Sequence, residues 1–241
     1  MVSKAGCEMK TMQWGAVWEN QGLGDAASLE DTIEEVAISR LILGIRATAG
    51  GPTAAQLKSA EFKLNYIRSG VDVELCDATI FDLAMLTDAR GGYGRDWTDT
   101  DLTDVNVVLP MGLDLTSGGS LKVRFVTPDD VANTVSYCYY INDGSMPPTL
   151  KYTSQTTSGT ASFKSALEIF SRNETGSYVD LEIEGEAKKS MPYALGRILF
   201  AEEAKIEKET VFAKIFSSTR PTALKIRASQ GAATFFSIEV P

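Results

Sequence analysis

The segment from Val36 to Leu86 decides the fold, and it reads VAISRLILGIRATAGGPTAAQLKSAEFKLNYIRSGVDVELCDATIFDLAML. Its first part, VAISRLILGIRATA, is apolar on both faces of an extended chain. Ile38 and Ile42 fall on one face, and Leu41 and Leu43 fall on the other. This pattern predicts a strand that is buried on both sides.

Two further strands follow in the same segment. The stretch AGGPTAAQ separates them from the first strand and predicts a turn, because Gly50 and Gly51 free the backbone and Pro52 fixes its own φ. In AEFKLNYI and VDVEL, apolar and polar residues alternate, as they do in a half-buried strand. The residues predicted to point inward are Phe62, Leu64, Tyr66, Val71, Val73 and Leu75.

The periodicity changes to that of a helix at the end of the segment. Asp77 is the predicted N-cap of a short helix over ATIFDLAML. Ile80, Phe81, Ala84 and Met85 would form one apolar stripe on that helix. The segment therefore predicts three strands joined by turns and closed by a helix.

The stretches ISRLILGIRATAGGPTAAQLKSAEFKLN and DATIFDL resemble the double jelly-roll major capsid proteins of tailless, membrane-containing icosahedral bacteriophages of the corticovirus type. One difference is the additional YIRSGVDVEL before the DL helix. The resemblance implies a structural protein of the virion. It would form homotrimers that build an icosahedral shell around an internal membrane, with other capsid proteins as further partners.

The rest of the chain also reads as short strands. Strand patterns occur around Trp14 and Trp18 and in VNVVLP, SLKVRFV, VSYCYYI, SFKSALEIF, YVDLEIEG, VFAKIF, ALKIRA and TFFSIEV. Ser28 to Asp31 resembles a capping box, which leaves open a helical start before Val36. A helix is predicted for YALGRILFAEEAKIEKE, with Leu195, Ile198, Leu199 and Ile206 on its apolar side.

The sequence NDGSMPPT, which starts at Asn142, is the predicted domain boundary. We expect an all-β protein, a jelly-roll β-sandwich with two rolls side by side and a few short helices in loops. Residues 1–145 would form the first jelly roll, and residues 146–241 the second, with a helical insertion near 193–208. The alternative is a single, heavily decorated jelly roll, which would suit a minor capsid or vertex protein.

The composition argues against several function classes. A net charge of −9 does not favour a basic surface that contacts nucleic acid directly. The 241 residues include no histidine, which removes the Ser-His-Asp and Cys-His nucleophile pairs and His-ligated zinc. Cys7, Cys76 and Cys138 lie too far apart for a C-x-x-C motif and are expected to be reduced thiols. We predict no enzyme, no small-molecule substrate and no cofactor other than a candidate calcium ion.

The candidate calcium site is the Asp-rich stretch TDARGGYGRDWTDTDLTD. Asp96, Asp99, Asp101 and Asp104 are its weak candidate ligands, because clustered carboxylates bind divalent cations. Their spacing is not that of an EF-hand, and a solvated loop is the alternative. Carboxylates of neighbouring subunits would complete such a site in an assembly.

The alternative function is a carbohydrate-binding or receptor-binding module, since jelly rolls also form lectins. Trp14, Trp18, Tyr93 and Trp97 are the candidates for stacking on sugars, although a core or interface role is expected for most of them. The sequence has no pattern of a secretion signal or membrane span. We expect synthesis in the host cytoplasm and a final location in the capsid, with lipid contacts made by a terminus or by partner proteins.

Overall fold

A computed structural model describes residues 12–23, 28–47, 51–91, 104–127, 134–172, 178–184, 186–204 and 212–241. The strands in this part of the chain are β1 (Gln13–Gly22), β2 (Ser28–Glu34), β3 (Ala37–Ala47), β4 (Glu61–Arg68), β5 (Val71–Thr79), β6 (Asp104–Asp114), β7 (Ser120–Val126), β8 (Thr134–Asn142), β9 (Lys151–Thr157), β10 (Thr160–Arg172), β11 (Tyr178–Ile183), β12 (Lys189–Pro192), β13 (Phe212–Ala228) and β14 (Ala233–Glu239). The helices are α1 (Ala54–Ser59), α2 (Ile80–Gly91) and α3 (Tyr193–Ala204). The predicted all-β class with a few short helices is confirmed.

The strands form two sheets. One has four strands in the order β1-β8-β3-β6, and the other has ten in the order β12-β11-β13-β10-β14-β9-β5-β4-β7-β2. Side chains of β3, such as Leu41 and Leu43, share one hydrophobic core with Phe62 and Leu64 of β4. The four-stranded sheet therefore packs against the β5-β4-β7-β2 part of the larger sheet, as in a β-sandwich.

Strand β3 is buried on its inner face, and the predicted burial of both sides is wrong, because Arg40 and Arg46 on its outer face are exposed. Leu41, Leu43 and Ile45 are at most 2% exposed and point into the core. Ile38 is also in this core, so its predicted place on the same face as Ile42 is wrong. The register between β3 and β6 shifts just after Ile38, and this irregularity changes the phase of the alternation.

The predicted inward faces of β4 and β5 are confirmed except at the hairpin end. Phe62 and Leu64 are fully buried. Leu75 and Cys76 are both buried, because a register shift after Leu64 inserts an extra residue into β5. Val71 is 60% exposed, and its predicted inward position is wrong because it lies next to the hairpin turn, away from the core.

Helix α2 begins later than the sequence suggested. Thr79 is its N-cap, since its Oγ1 accepts a hydrogen bond from the backbone N–H of Asp82 at 3.2 Å. The predicted N-cap, Asp77, instead pairs with Lys63 at 3.3 Å. The helix covers the edge of β6, where the N–H of Val108 donates to Thr87 Oγ1 at 3.0 Å. It is buried on nearly all sides because it closes the gap between the two sheets.

Three elements differ from the sequence predictions. The predicted turn before β4 contains helix α1, which Thr53 and Gln56 start with a capping box. The stretch from Ser28, left open as a helix start, is strand β2. Strand β9 follows the predicted domain boundary, in a stretch that the sequence did not predict as a strand.

The connection between the two halves of the chain is held against the first half. Ser39 Oγ donates to the carbonyl of Ser145 at 2.8 Å, and Thr149 Oγ1 donates to the carbonyl of Gly112 at 3.2 Å. The carbonyl oxygen of Pro147 occupies the space that a Cβ atom on Gly112 would need. Strands β5 and β9 then pair in parallel, so the large sheet continues from one half into the other.

The long strands of the second half border two cores at once. Phe170, Phe212 and Phe236 point into the core that extends from the first half, while their neighbours Ile169, Ala213 and Phe235 point into a second core. The stretches VFAKIF and ALKIRA, predicted as two strands, are both parts of β13. A large register shift between β10 and β13 near Ser217 to Thr222 separates the two parts.

Helix α3 is confirmed as a helix, but its predicted apolar side does not face the core. Tyr193 and Phe200 are buried among the residues that pack against β13. Leu195, Ile198 and Leu199 are 46%, 56% and 41% exposed. The fourth predicted apolar position, Ile206, lies outside the described residues. Within the described part of the chain, no helix has the length and apolar character needed to span a membrane.

Candidate functional site: exposed surfaces

A buried polar cluster joins the two halves of the chain. The Asp82 carboxylate accepts hydrogen bonds from Thr79 Oγ1 at 2.8 Å and from Ser154 Oγ at 2.7 Å. Its Oδ1 lies 2.8 Å from Nε of Arg172, and both side chains are at most 10% exposed. The Arg172 guanidinium also lies over the Phe81 ring, 5.0 Å from its centroid. The cluster connects α2 to strands β9 and β10.

A second polar group of side chains lies between the helices. Arg90 of α2 pairs with Glu168 of β10 at 3.1 Å. Lys214 of β13 lies 3.5 Å from the same carboxylate and also pairs with Glu203 of α3. Opposite charges therefore alternate from one helix to the other, which fixes the position of α3 relative to α2.

The outer face of the β5-β4-β7-β2 sheet is covered by ion pairs, and we call it the charged face (Glu30, Glu61, Lys63, Asp77, Lys122 and Arg124). Lys63 lies 3.0 Å from Glu61 and 3.3 Å from Asp77. The hydrogen bond to Glu61 raises the pKa of Lys63. Lys122 and Arg124 both face Glu30 across β2 and β7. These paired charges are typical of a face that stays in water.

The outer face of the four-stranded sheet is different, and we call it the aromatic face (Trp14, Ile42, Tyr137, Tyr139 and Ile141). Trp14 is 62% exposed and meets Tyr139 edge-on, with 5.8 Å between the ring centroids. Tyr139 also contacts Tyr137 at 5.8 Å. Ile141 lies opposite Trp14, and Ile42 lies opposite Tyr139. Aromatic and apolar side chains thus run across β1, β8 and β3.

Two hydroxyl groups orient the tyrosines of the aromatic face. Tyr139 Oη donates to Glu19 at 2.8 Å, and this hydrogen bond raises the pKa of Tyr139. Tyr137 Oη donates to Asn106 Oδ1 at 2.8 Å. The Tyr137 ring lies directly over Gly44, in space that any Cβ atom at that position would occupy. The rings therefore lie along the sheet and present a broad surface.

A second exposed apolar surface lies on α3, and we call it the helix stripe (Leu195, Ile198 and Leu199). Positions i, i+3 and i+4 of a helix share one side, so the three side chains are neighbours. Glu202 follows Ile198 by one turn on the same side and is exposed. The helix stripe and the aromatic face belong to different halves of the chain.

The tryptophans predicted to stack on sugars have different environments. Trp18 is 8% exposed, and its Nε1 donates to Ser136 Oγ at 3.1 Å, so it is a core residue. Trp14 lies on the aromatic face. Tyr93 and Trp97 lie outside the described residues.

The calcium prediction concerns residues that lie mostly outside the described part of the chain. Asp96, Asp99 and Asp101 are in this category, while Asp104 begins β6 and lies 3.2 Å from Nε of Arg46. Among the described residues, no group of three or more His, Cys, Asp or Glu side chains is arranged to hold a metal ion. Calcium binding by this stretch stays a prediction.

The two described cysteines are free thiols in the core. Cys76 and Cys138 are both fully buried, and burial raises the pKa of each thiol strongly. Cys7 lies outside the described residues. Cys76 and Cys138 are therefore structural, because the reactive form of cysteine is the thiolate.

Neither of these two exposed apolar surfaces was identified from the sequence. The alternation in SYCYYI places Tyr137 and Tyr139 on one face and Cys138 on the other, and this signal could have identified the aromatic face. The helix stripe gave no such signal, because both sides of α3 carry large apolar residues. Only the packing of Phe200 against β13 distinguishes the two sides.

No protein-family model and no curated protein sequence matches this chain. Solved structures do match. The crystal structure of the STIV MCP superposes with a TM-score of 0.63 at 10% identity and covers 96% of this chain and 97% of that chain. The atomic structure of Sulfolobus Turreted Icosahedral Virus gives a TM-score of 0.65 at 11% identity and covers 95% and 91%. The crystal structure of the major capsid protein P2 from bacteriophage PM2 gives a TM-score of 0.57 at 11% identity and covers 96% of this chain and 98% of that chain.

These identities are low, and the similarity establishes the fold. The chain has the double jelly-roll fold of these viral major capsid proteins, as its sequence predicted. The match covers almost the full length of both partners in each comparison.

Proposed function

We propose that this chain is the major capsid protein of a tailless bacteriophage with an internal membrane. The observation that carries the proposal is the shared double jelly-roll fold, which covers 96% of this chain and 98% of the PM2 major capsid protein. A fold of this kind supports many functions, so the surfaces must support the role as well.

The exposed surfaces favour a protein that assembles. The aromatic face and the helix stripe are groups of large apolar side chains in contact with solvent, and such patches usually mark contacts with other molecules. The charged face provides the contrast, because its ion pairs keep one side of the first half in water. A coat subunit needs this distribution of contact and solvent surfaces.

We further propose that residues 1–145 and 146–241 form the two rolls. Strand β8 ends at Asn142 and β9 starts at Lys151, so the boundary falls in the connection between them. Buried residues of the second half also form a separate core around Ile169, Ala213 and Phe235. Two rolls in one chain allow three copies to present six similar barrels in one ring.

The trimer is the proposed building block. Cyclic symmetry closes three copies into one unit and leaves lateral faces free for contacts with the next unit. The net charge of −9 opposes uncontrolled association before these contacts align. The proposed particle has three further components. They are calcium ions bound between Asp-rich stretches of neighbouring copies, other capsid proteins, and the internal membrane.

The test is a mass measurement of the purified chain, followed by electron microscopy. We expect three times the chain mass in native mass spectrometry and particles or ring-shaped units with six density lobes in micrographs. Phospholipid analysis of purified particles tests the internal membrane. A stable monomer that forms neither rings nor particles at high concentration would contradict the coat function and favour a binding module.

A further inference from the structure

The connection between the two halves contains a chemically labile pair of residues. Asp143 is followed by Gly144, and no other Asp or Asn of the 241 residues precedes a glycine. Glycine has no Cβ atom to shield its backbone nitrogen or to restrict its approach to the preceding side chain. An Asp-Gly pair is therefore the place in this sequence where the backbone is most open to rearrangement through a side-chain carboxyl.

The rearrangement is the formation of isoaspartate. The backbone nitrogen of Gly144 attacks Cγ of the Asp143 carboxylic acid, and a C–N bond forms while the acid hydroxyl and the proton of the nitrogen leave as water. The product is a cyclic succinimide. Water then adds to one of its two carbonyl carbons. Breaking the N–Cγ bond restores aspartate, and breaking the bond from the nitrogen to the backbone carbonyl carbon leaves isoaspartate.

The reaction needs the neutral acid, and the folded chain holds Asp143 as a carboxylate. The backbone N–H of Ser145 donates to Asp143 Oδ1 at 3.0 Å, and Ser145 Oγ donates to the same oxygen. Arg40 of β3 pairs with Oδ2. These contacts, with the hydrogen bonds from Ser145 as the largest cause, hold the pKa of Asp143 well below its usual range. The reactive form is therefore rare in the folded chain at neutral pH.

The attacking nitrogen is also held in place. The N–H of Gly144 donates to Asn142 Oδ1 at 2.9 Å, while the Asp143 carboxylate accepts from the next N–H along the chain. Two successive Asx turns thus fix both side chains. Gly144 has a φ of 75°, which favours glycine at this position. The geometry of the turn requires the residue that makes the pair labile.

Strand β3 holds the backbone of the pair as well as its side chain. Ser39 Oγ accepts from the N–H of Asp143 at 3.1 Å and donates to the carbonyl of Ser145 at 2.8 Å. Ser39 is 2% exposed, whereas the side chain of its neighbour Arg40 is 44% exposed. Two adjacent residues of one strand therefore restrain the labile pair, one through its backbone and the other through its carboxylate.

We propose that Asp143-Gly144 is a site of isoaspartate formation and that Ser39 and Arg40 suppress the reaction in the folded chain. Isoaspartate adds the side-chain methylene to the main chain, so the two backbone groups that Ser39 binds would no longer have the same spacing. The connection would then lose its attachment to β3. The proposal needs only the folded single chain and is independent of the proposed coat function.

The test is to incubate the full chain at pH 6 and to measure isoaspartate at position 143 over time. A protease that cleaves before aspartate but not before isoaspartate, followed by mass spectrometry of the peptides, measures the product, and the succinimide appears as the loss of one water. We expect slow formation in the folded, unaltered chain and the fastest formation in guanidinium chloride. Arg40→Ala and Ser39→Ala should each be severalfold faster than the unaltered chain.

Arg46→Ala is the matched control, because it removes an arginine from the same strand whose partner is Asp104. It should leave the rate at position 143 unchanged. Circular dichroism and thermal unfolding show that each variant is folded under the conditions of the incubation.

Three outcomes would overturn the proposal. If the unaltered chain forms isoaspartate equally fast when folded and when unfolded, the fold does not suppress the reaction. If the folded Arg40→Ala and Ser39→Ala variants match the unaltered chain, the roles assigned to these two residues are wrong. If the unfolded chain forms no isoaspartate at position 143, the site itself is wrong. The oligomeric state tests the coat function separately from all three.

Discussion

Nε of Arg172 lies 2.8 Å from Oδ1 of Asp82, where helix α2 of the first half meets strand β10 of the second. The Asp82 side chain is fully buried, and hydroxyl groups of Thr79 and Ser154 also donate to it. A buried ion pair of this kind contributes little to the stability of the fold when compared with well-packed apolar residues in its place. The loss of one partner is costly, because the other charge is then buried without compensation.

We therefore expect Asp82→Ala to destabilise the protein by about 3 to 5 kcal/mol in urea unfolding. The control is Asp104→Ala, which removes the partner of Arg46 in an ion pair whose side chains are more than half exposed. That change should cost at most about 1 kcal/mol. Equal costs at the two positions would show that the Asp82 cluster does not hold the halves together.

The alternation in β4 gives a second prediction. Phe62→Ala or Leu64→Ala should cost about 2 to 5 kcal/mol, because both side chains are fully buried between the sheets. Lys63→Ala should cost about 1 kcal/mol or less, since Lys63 points to the charged face, where its ion pairs are partly exposed. Denaturant unfolding of the three variants measures the difference. Similar sensitivity at Lys63 and Leu64 would be incompatible with the strand.

A third prediction concerns the connection between the halves. Gly112→Ala adds a Cβ atom where the Pro147 carbonyl lies, and the backbone of the connection must move to admit it. We expect the free energy of unfolding to fall by about 1 to 3 kcal/mol, as it does when extra atoms are forced into other well-packed sites. Gly22→Ala is the control, because no atom lies within 4 Å of its added Cβ. An unchanged unfolding midpoint for Gly112→Ala would mean that the connection is not held at this point.

The buried thiols give the fourth prediction. In a Cys7→Ser background, Cys76 and Cys138 should not react with a thiol reagent at pH 8 until denaturant unfolds the chain. Burial raises the pKa of both thiols, so raising the pH from 7 to 9 should increase the reaction of an exposed model thiol but not theirs. Colorimetric counting of thiols before and after unfolding measures this. Rapid reaction of either thiol in the folded protein would contradict its burial.

Much of the fold could be predicted from periodicity. The clean alternation of Leu121, Val123 and Phe125 with Lys122 and Arg124 identified β7, and the same signal identified β4. Errors arose where tertiary contacts override local pattern. The N-cap of α2 is Thr79 because Asp77 still belongs to β5 and pairs with Lys63. Strand β9 is polar on its outer face and showed no apolar run, yet it is held between β14 and β5.

The aromatic face and the helix stripe were less predictable than the fold. The sequence pattern put Leu195, Ile198 and Leu199 on the apolar side of α3, and an apolar stripe on a helix normally packs inward. In the folded chain, Tyr193 and Phe200 occupy that role, and their burial depends on β13, which lies later in the sequence. Trp14 and Trp18 are only four residues apart, yet Trp14 is exposed and Trp18 is buried among core residues. Local sequence alone does not separate these outcomes.

The large sheet passes from the first half to the second through the parallel pairs Cys76 with Tyr152 and Asp77 with Thr153. Because hydrogen-bonded strands continue on both sides of this joint, the two halves of the chain cannot pivot freely against each other. Each copy should then behave as one rigid unit, in which the angle between the two halves is fixed when the chain folds. Under the proposed coat function, the radius of the shell would be determined by the angles at which neighbouring copies meet. Shells of different size would then need changes at the contacts between copies and could keep the fold of each copy unchanged.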